Sequence, residues 1–296
     1  MAIGERAATS EPTTYEVVRV RTWPELHEVL RHAKYKSWAF RGQSDARWPL
    51  ASSLSRYLVS FDVSPSAWAL QEWRIIRIFR RKAHLFLDNV PAEDDVFQWL
   101  AMMKHHGAPT RLLDFTWSPY VAAFFALEGA TREAAVWALS VPQLRKPPRH
   151  LPEEYRGTAA TRPMREAGSF ERLFLNATVP FVAAGEPYVM NKRLVAQSGT
   201  FVTPSVLDRP VEEILATYPD STSLLTKVVL DTDNLRDEAM EALYNMNVTP
   251  ATLFPDLDGL ARSMAYELEF HWAFNPKTME EYGGFEGYVE ERKSRE

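Results

Sequence analysis

The chain contains no cysteine. Disulfides, zinc–thiolate centres, iron–sulfur clusters and a cysteine nucleophile are therefore excluded. No stretch approaches the roughly 18 consecutive apolar residues that a membrane-crossing helix needs. The residues after Met1 are polar, with Glu5 and Arg6 among them, and no apolar run follows that would make a signal peptide. Positive charge is not in excess: 34 Lys and Arg stand against 39 Asp and Glu, a net charge of −5, which speaks against a broad surface for duplex nucleic acid. Phosphate loops, Gly-x-Gly-x-x-Gly turns and Gly-x-Ser-x-Gly elbows are also missing, which argues against common NTPases, Rossmann dehydrogenases and α/β-hydrolases. These absences lead to the expectation of a cytoplasmic globular protein of bacterial style. Apolar material is plentiful: nine Trp, sixteen Phe and 46% hydrophobic residues suffice for a sizeable core in 296 residues.

Hydrophobic periodicity predicts alternating strands and helices with no linker between them. Residues 15–20 alternate as a strand; Thr22 caps a helix whose first turn holds Pro24; residues 37–40 form a short strand ending at Arg41-Gly42. Residues 66–88 are expected to be one long helix, with Trp68, Leu70, Trp73, Ile76, Phe79, Ala83 and Phe86 inward and Arg74, Arg77, Arg80, Arg81 and Lys82 on a solvated face. A helix over 94–105 leads into a polar turn, and Ser118 and Pro119 open a helix at 119–129 that is apolar on every side and so central. Strands are expected at 134–141, 223–230 and 267–274, and helices at 233–246 and 250–264. Residues 1–13 and the charged tail 287–296 are expected to be mobile. The rest, 14–286, reads as one α+β domain with helical insertions.

Three polar segments carry the chemistry. The first is Phe40-Arg41-Gly42-Gln43. Arg41 offers a planar fork of donors suited to a diphosphate or a carboxylate, and Gly42 lets another group come close to the backbone. The alternative is that Arg41 pairs with a carboxylate such as Asp114 inside the fold. The second is His105–Ser118. Asp114 and Thr116 would sit beside the start of the central helix, either favouring an anion or bracing the helix end. His106 is a candidate phosphate donor, Arg111 a ligand arginine or a loop bracket, and Tyr120 a ring for stacking. The third is 185–202, where Arg193 is a second phosphate contact and Gln197 orients a ribose hydroxyl, with a strand pair bulged at Gly199 as the alternative. No carboxylate or histidine lies at helical spacing from His105 and His106, so no metal is expected. Asp256 and Asp258 lack the further oxygens of a calcium loop and read as helix caps.

Phe40-Arg41-Gly42-Gln43, the His105–Ala126 segment, Arg193–Val202 and Leu253–Ala261 together resemble the FRG domain family, in the same order. The arrangement also resembles, more weakly, the ADP-ribosyltransferase pattern of an early arginine, a polar triplet and a late Gln/Glu loop. That resemblance implies a pair of small antiparallel sheets around a cleft, and NAD as substrate. Arg41, Thr116, Gln197 and Asp114 would be catalytic; Arg41, Gly42, Gln43, His106, Arg111, Thr116, Tyr120 and Arg193 would hold the nucleotide. Thr116 is not flanked by two serines, and Gln197-Ser198-Gly199 carries no glutamate, so Asp114, Glu186 or a histidine would have to serve as base. The implied function is an NAD-dependent transferase, a toxin or phage-defence effector acting on a protein or nucleic acid. The alternatives are a non-catalytic nucleotide- or nucleic-acid-binding module and a purely protein-interacting domain.

Overall fold

The computed structural model describes residues 14–144, 146, 151–152 and 168–282. The expected mobile segments 1–13 and 287–296 lie outside the described residues, as does much of the loop expected at 142–170. Seven strands form one sheet: β1 (Glu16–Val20), β2 (Trp38–Gln43), β3 (Leu113–Thr116), β4 (Ala134–Ser140), β5 (Val182–Gly185), β6 (Gly199–Pro204) and β7 (Leu225–Leu230), in the order β1-β7-β4-β2-β3-β6-β5. All neighbours are antiparallel except β1 and β7. The helices of eight or more residues are α1 (Trp23–Arg31), α2 (Ser53–Ser60), α3 (Trp68–Ala83), α4 (Val96–His105), α5 (Pro119–Leu127), α6 (Thr232–Asn245) and α7 (Leu257–Glu267). Among the described residues no helix is long and apolar enough to cross a membrane.

The interior strand β4 is buried along its whole length, because both faces of the sheet are covered. Its side chains alternate between two cores. Ala134, Val136 and Ala138 join α1, α5 and α6 on one face; Trp137 and Leu139 join Leu113, Phe115, Val202 and the helical turn Val211–Leu215 on the other. A third core places α3 and α4 over Phe201 and Ala183. The caps follow the local sequence. Thr22, Ser118, Thr249 and Asp256 each accept from a backbone N–H of the helix they open, and Pro follows Thr22, Ser118 and Thr249 in the first turn.

The α+β class is found, but the expected pair of sheets is corrected to one continuous sheet. The reason lies at β2 and β3, which join its two halves through a single residue pair, Phe40 and Thr116. Beyond that pair the strands part, so a notch opens in a sheet that is otherwise unbroken. Other expectations also change. The polar turn before Ser118 contains β3 itself. The helix expected at 66–88 stops at Ala83, and Leu70 and Phe86, expected inward, are 72% and 82% exposed. Pro255 lacks the N–H that a continuing helix requires, so 250–264 splits into Pro250–Leu253 and α7. Residues 267–274 form no strand; Phe274 makes only an isolated bridge to Glu281.

Gly42 packs β2 directly against α5: a Cβ there would lie 2.1 Å from the Ala122 carbonyl oxygen and 2.5 Å from the Ala126 nitrogen. Gly42→Ala must push that helix away, and urea titration is expected to show a loss of about 2–3 kcal/mol or no folded protein.

Arg111 is 2% exposed, pairs through Nε and Nη2 with the equally buried Glu72 of α3, and donates from Nη1 to the carbonyls of Phe174, Pro204 and Ser205. The expectation that Arg111 holds a ligand is thereby corrected, since its donors are committed inside the fold. Arg111→Met alone would strand the Glu72 carboxylate and is expected to cost about 3–5 kcal/mol. Arg111→Met combined with Glu72→Met is expected to restore most of that loss in the same denaturation measurement.

Candidate functional site

The notch between β2 and β3 opens into a cavity of about 600 Å³, lined by Arg41–Ser44, Trp48, Arg56, Asp114–Thr116, Phe125, Arg193 and Gln197 among others. Its size is that of a small-molecule site. Arg41 sits where the strands separate. Its Nη1 donates to the Asp114 carbonyl oxygen at 2.6 Å and lies 3.9 Å from Asp114 Oδ2. The guanidinium thus bridges β2 and β3 where no further residue pair joins them. Arg41 Nε is buried and makes no hydrogen bond among the described residues. Burial pulls the Arg41 guanidinium below its ordinary range and nearby Arg56 adds to this, while Asp114 opposes it.

Asp114 sits on β3 facing α4, and Lys104 from the last turn of that helix reaches its Oδ2 at 2.9 Å. More than half of the Asp114 side chain, 55%, remains open. Burial favours its protonated form, but the charges of Lys104 and Arg41 outweigh that and hold the carboxyl below the ordinary range. The carboxylate is therefore anionic near neutral pH and flanked by two cations.

Two further arginines line the cavity. Arg56, on α2, is exposed and donates from Nη1 to the Ala51 carbonyl at 2.7 Å. Arg193 lies over the Phe254 ring at 4.5 Å from its centroid, and burial lowers its pKa while Asp114 opposes that. Trp48, 52% exposed, lines the same cavity. The wall is cationic with an aromatic edge, a combination suited to an anion bearing a flat ring.

The structure brings Arg41, Gly42, Gln43, Asp114, Thr116, Arg193 and Gln197 together at this cavity, but it commits several of their side chains elsewhere. Thr116 Oγ1 donates to the Gln197 carbonyl at 2.6 Å and accepts from the Ser118 N–H, so it braces the turn. Gln197 Nε2 donates to the Leu253 carbonyl, tying the third segment to the 250–253 helix. Gln43 accepts from Trp137 Nε1 and donates to the Pro49 carbonyl. The close approach at Gly42 is made by α5, not left to a ligand. His106 and Tyr120 are corrected as ligand contacts. His106 is exposed and faces a separate apolar groove beside Phe79 and Phe86. The Tyr120 hydroxyl pairs with His27 Nδ1 at 3.2 Å, and its ring packs against Trp23 and His27 of α1. The cavity also meets Phe125, late in α5, so the start of that helix is not its anion site. Glu186 accepts from Trp117 Nε1 and does not line the cavity.

Residues 36–135 match the family model of the FRG domain. The matched span is similar to the FRG domain and covers about a third of the chain. It supplies Arg41, Trp48, Arg56, Asp114 and Thr116, whereas Arg193 and Gln197 come from beyond it. No curated protein and no solved structure matches the chain. Sequence reasoning passed over Lys104, Arg56 and Trp48. Lys104 is separated from Asp114 by the chain reversal after α4, and Arg56 reads along the chain as an ordinary exposed residue of the short amphipathic helix α2.

Lys104→Ala removes the nearest cation from Asp114, so its carboxyl is expected to titrate higher in a carbon-detected NMR experiment; an unchanged value would remove Lys104 from the site. The sign for stability follows from the depressed pKa. The favourable contribution of Asp114 is present above the ordinary carboxylate range and disappears as pH falls through its folded value.

Proposed function

We propose that the notch of this FRG-like domain binds the diphosphate of NAD or a related nucleotide and supports transfer of its ADP-ribosyl group. The observation that carries the reading is the convergence of Arg41, Arg56 and Arg193 on one cavity, with a buried donor of Arg41 left without a partner among the described residues. Three guanidiniums more than offset the two negative charges of a dinucleotide diphosphate, and the exposed Trp48 suits an adenine or nicotinamide ring. Asp114 is the carboxylate that lines the cavity, and its anionic state favours positive charge developing on the ribose carbon as the bond to nicotinamide breaks. Thr116 and Gln197 act in this reading as braces for the wall, with Gln197 presenting its position beside Arg193. The biological setting, a toxin or phage-defence effector with a protein or nucleic-acid acceptor, belongs to the same proposal.

A second reading, a nucleotide-binding module without chemistry, is favoured by one observation: Lys104 and Arg41 already neutralise Asp114, which weakens it as a stabiliser of a cation.

Calorimetry with ADP-ribose and chromatography of released nicotinamide separate the two. The transferase reading expects ADP-ribose to bind, Arg56→Ala to weaken it about tenfold, and NAD to yield nicotinamide at a rate that Asp114→Asn abolishes. Binding without release supports the second reading. Absence of binding by both nucleotides overturns both.

A further inference from the structure

A second groove, independent of the notch, runs along the outer face of α3. It encloses about 910 Å³ and is lined by Arg74, Arg77, Arg80 and Arg81, with Leu70 and Val90 at its borders. These arginines recur at three- and four-residue spacing, so they form one row along the helix. The row faces outward because Glu72, paired with the buried Arg111, anchors the opposite side, and the buried Ile76 forms the floor of the groove. The facing wall is built, not incidental. Arg80 Nη2 donates to the Glu93 carbonyl at 2.5 Å, and Trp99 Nε1 donates to the Ala92 carbonyl at 2.9 Å, pinning the 90–93 segment across from the helix.

Apart from Arg80, which pairs with Glu93, the arginines of this row have no carboxylate partner among the described residues. Arg74 bonds only to the neutral Gln71, and Arg77 and Arg81 are exposed without a carboxylate partner there. Glu93, the single carboxylate in the lining, is held 3.6 Å from Arg80 with its side chain 97% exposed. A chain of net charge −5 thus concentrates arginines on one helix face, beside apolar side chains left open: Leu70 at 72% and Val90 at 45%.

We propose that this groove is a docking site for an acidic peptide segment with aliphatic anchors, from a partner protein. Carboxylates of the partner would pair with the arginine row, and its apolar residues would cover Leu70 and Val90. The aromatic geometry favours a peptide over a nucleic-acid strand. Trp99 is buried, with Arg80 over its ring at 5.6 Å and Phe79 at its edge, and Trp73, which also lines the groove, is half-buried against the third core, so neither ring is fully open for bases to stack on.

Fluorescence anisotropy of the full chain with a labelled peptide alternating Glu and Leu, beside a labelled oligothymidine, tests the assignment. The peptide is expected to bind and to weaken with added salt. The Arg77→Glu/Arg81→Glu variant, altered only at exposed positions and checked by circular dichroism, is expected to bind about tenfold or more weakly. Leu70→Ser, which removes the apolar side chain without adding charge, is expected to weaken it as well, which a purely ionic attraction would not predict, and Arg56→Ala in the notch is expected to leave it unchanged. Three results overturn the proposal: no peptide binding, peptide binding that survives the double reversal, or oligothymidine binding in preference to the peptide.

Discussion

The sheet depends on one guanidinium. β2 and β3 meet at Phe40 and Thr116 and then diverge, and the Arg41 side chain spans the opening to the Asp114 carbonyl. The four strands on one side and the three on the other remain one sheet partly through that contact. A notch in a seven-stranded sheet would ordinarily leave backbone groups unsatisfied. Here a charged donor fills that role, and the space it does not fill becomes the cavity. Structure and candidate function therefore draw on the same residue: Nη1 holds the strands, while Nε has no hydrogen-bond partner among the described residues.

Two other arginines show how differently the same side chain is used. Arg111 is fully enclosed, with a carboxylate and three carbonyls around it, and ties α3 to the segments ending at Phe174 and Pro204. Arg193 lies flat on Phe254 and faces the notch. A guanidinium serves equally as a buried multivalent donor, a strand bridge or a planar cation over a ring. Its sequence position alone does not distinguish these uses. Arg111 and Arg41 lie in comparable polar motifs beside apolar runs, yet one closes the core and the other opens onto solvent.

The basic helix α3 carries the same lesson at larger scale. Its inward side is defined by Glu72 and Ile76, and its outward row of arginines gains meaning only from the 90–93 segment folded across it. Read along the chain, that row is an ordinary solvated face. The tertiary wall turns it into a groove.

The amino-acid sequence by itself determined the α+β class, the strands β1, β2, β4 and β7 to within a few residues, the buried helix α5, and the caps at Thr22, Ser118, Thr249 and Asp256, because periodicity and capping are local properties of the chain. It also marked Arg41, Asp114, Thr116, Arg193 and Gln197 as polar residues beside apolar runs, and these do converge on the notch. Only the tertiary structure decided which of their atoms are free. Gln43, Thr116 and Gln197 spend side-chain groups on partners distant in sequence, and Arg111, His106 and Tyr120 face away from the notch. The joining of two half-sheets through one residue pair was likewise beyond the sequence. Register between strands far apart in the chain is set by how the cores on both faces pack, and a hydrogen-bond donor is spent or spare according to what that folding brings within about 3 Å of it.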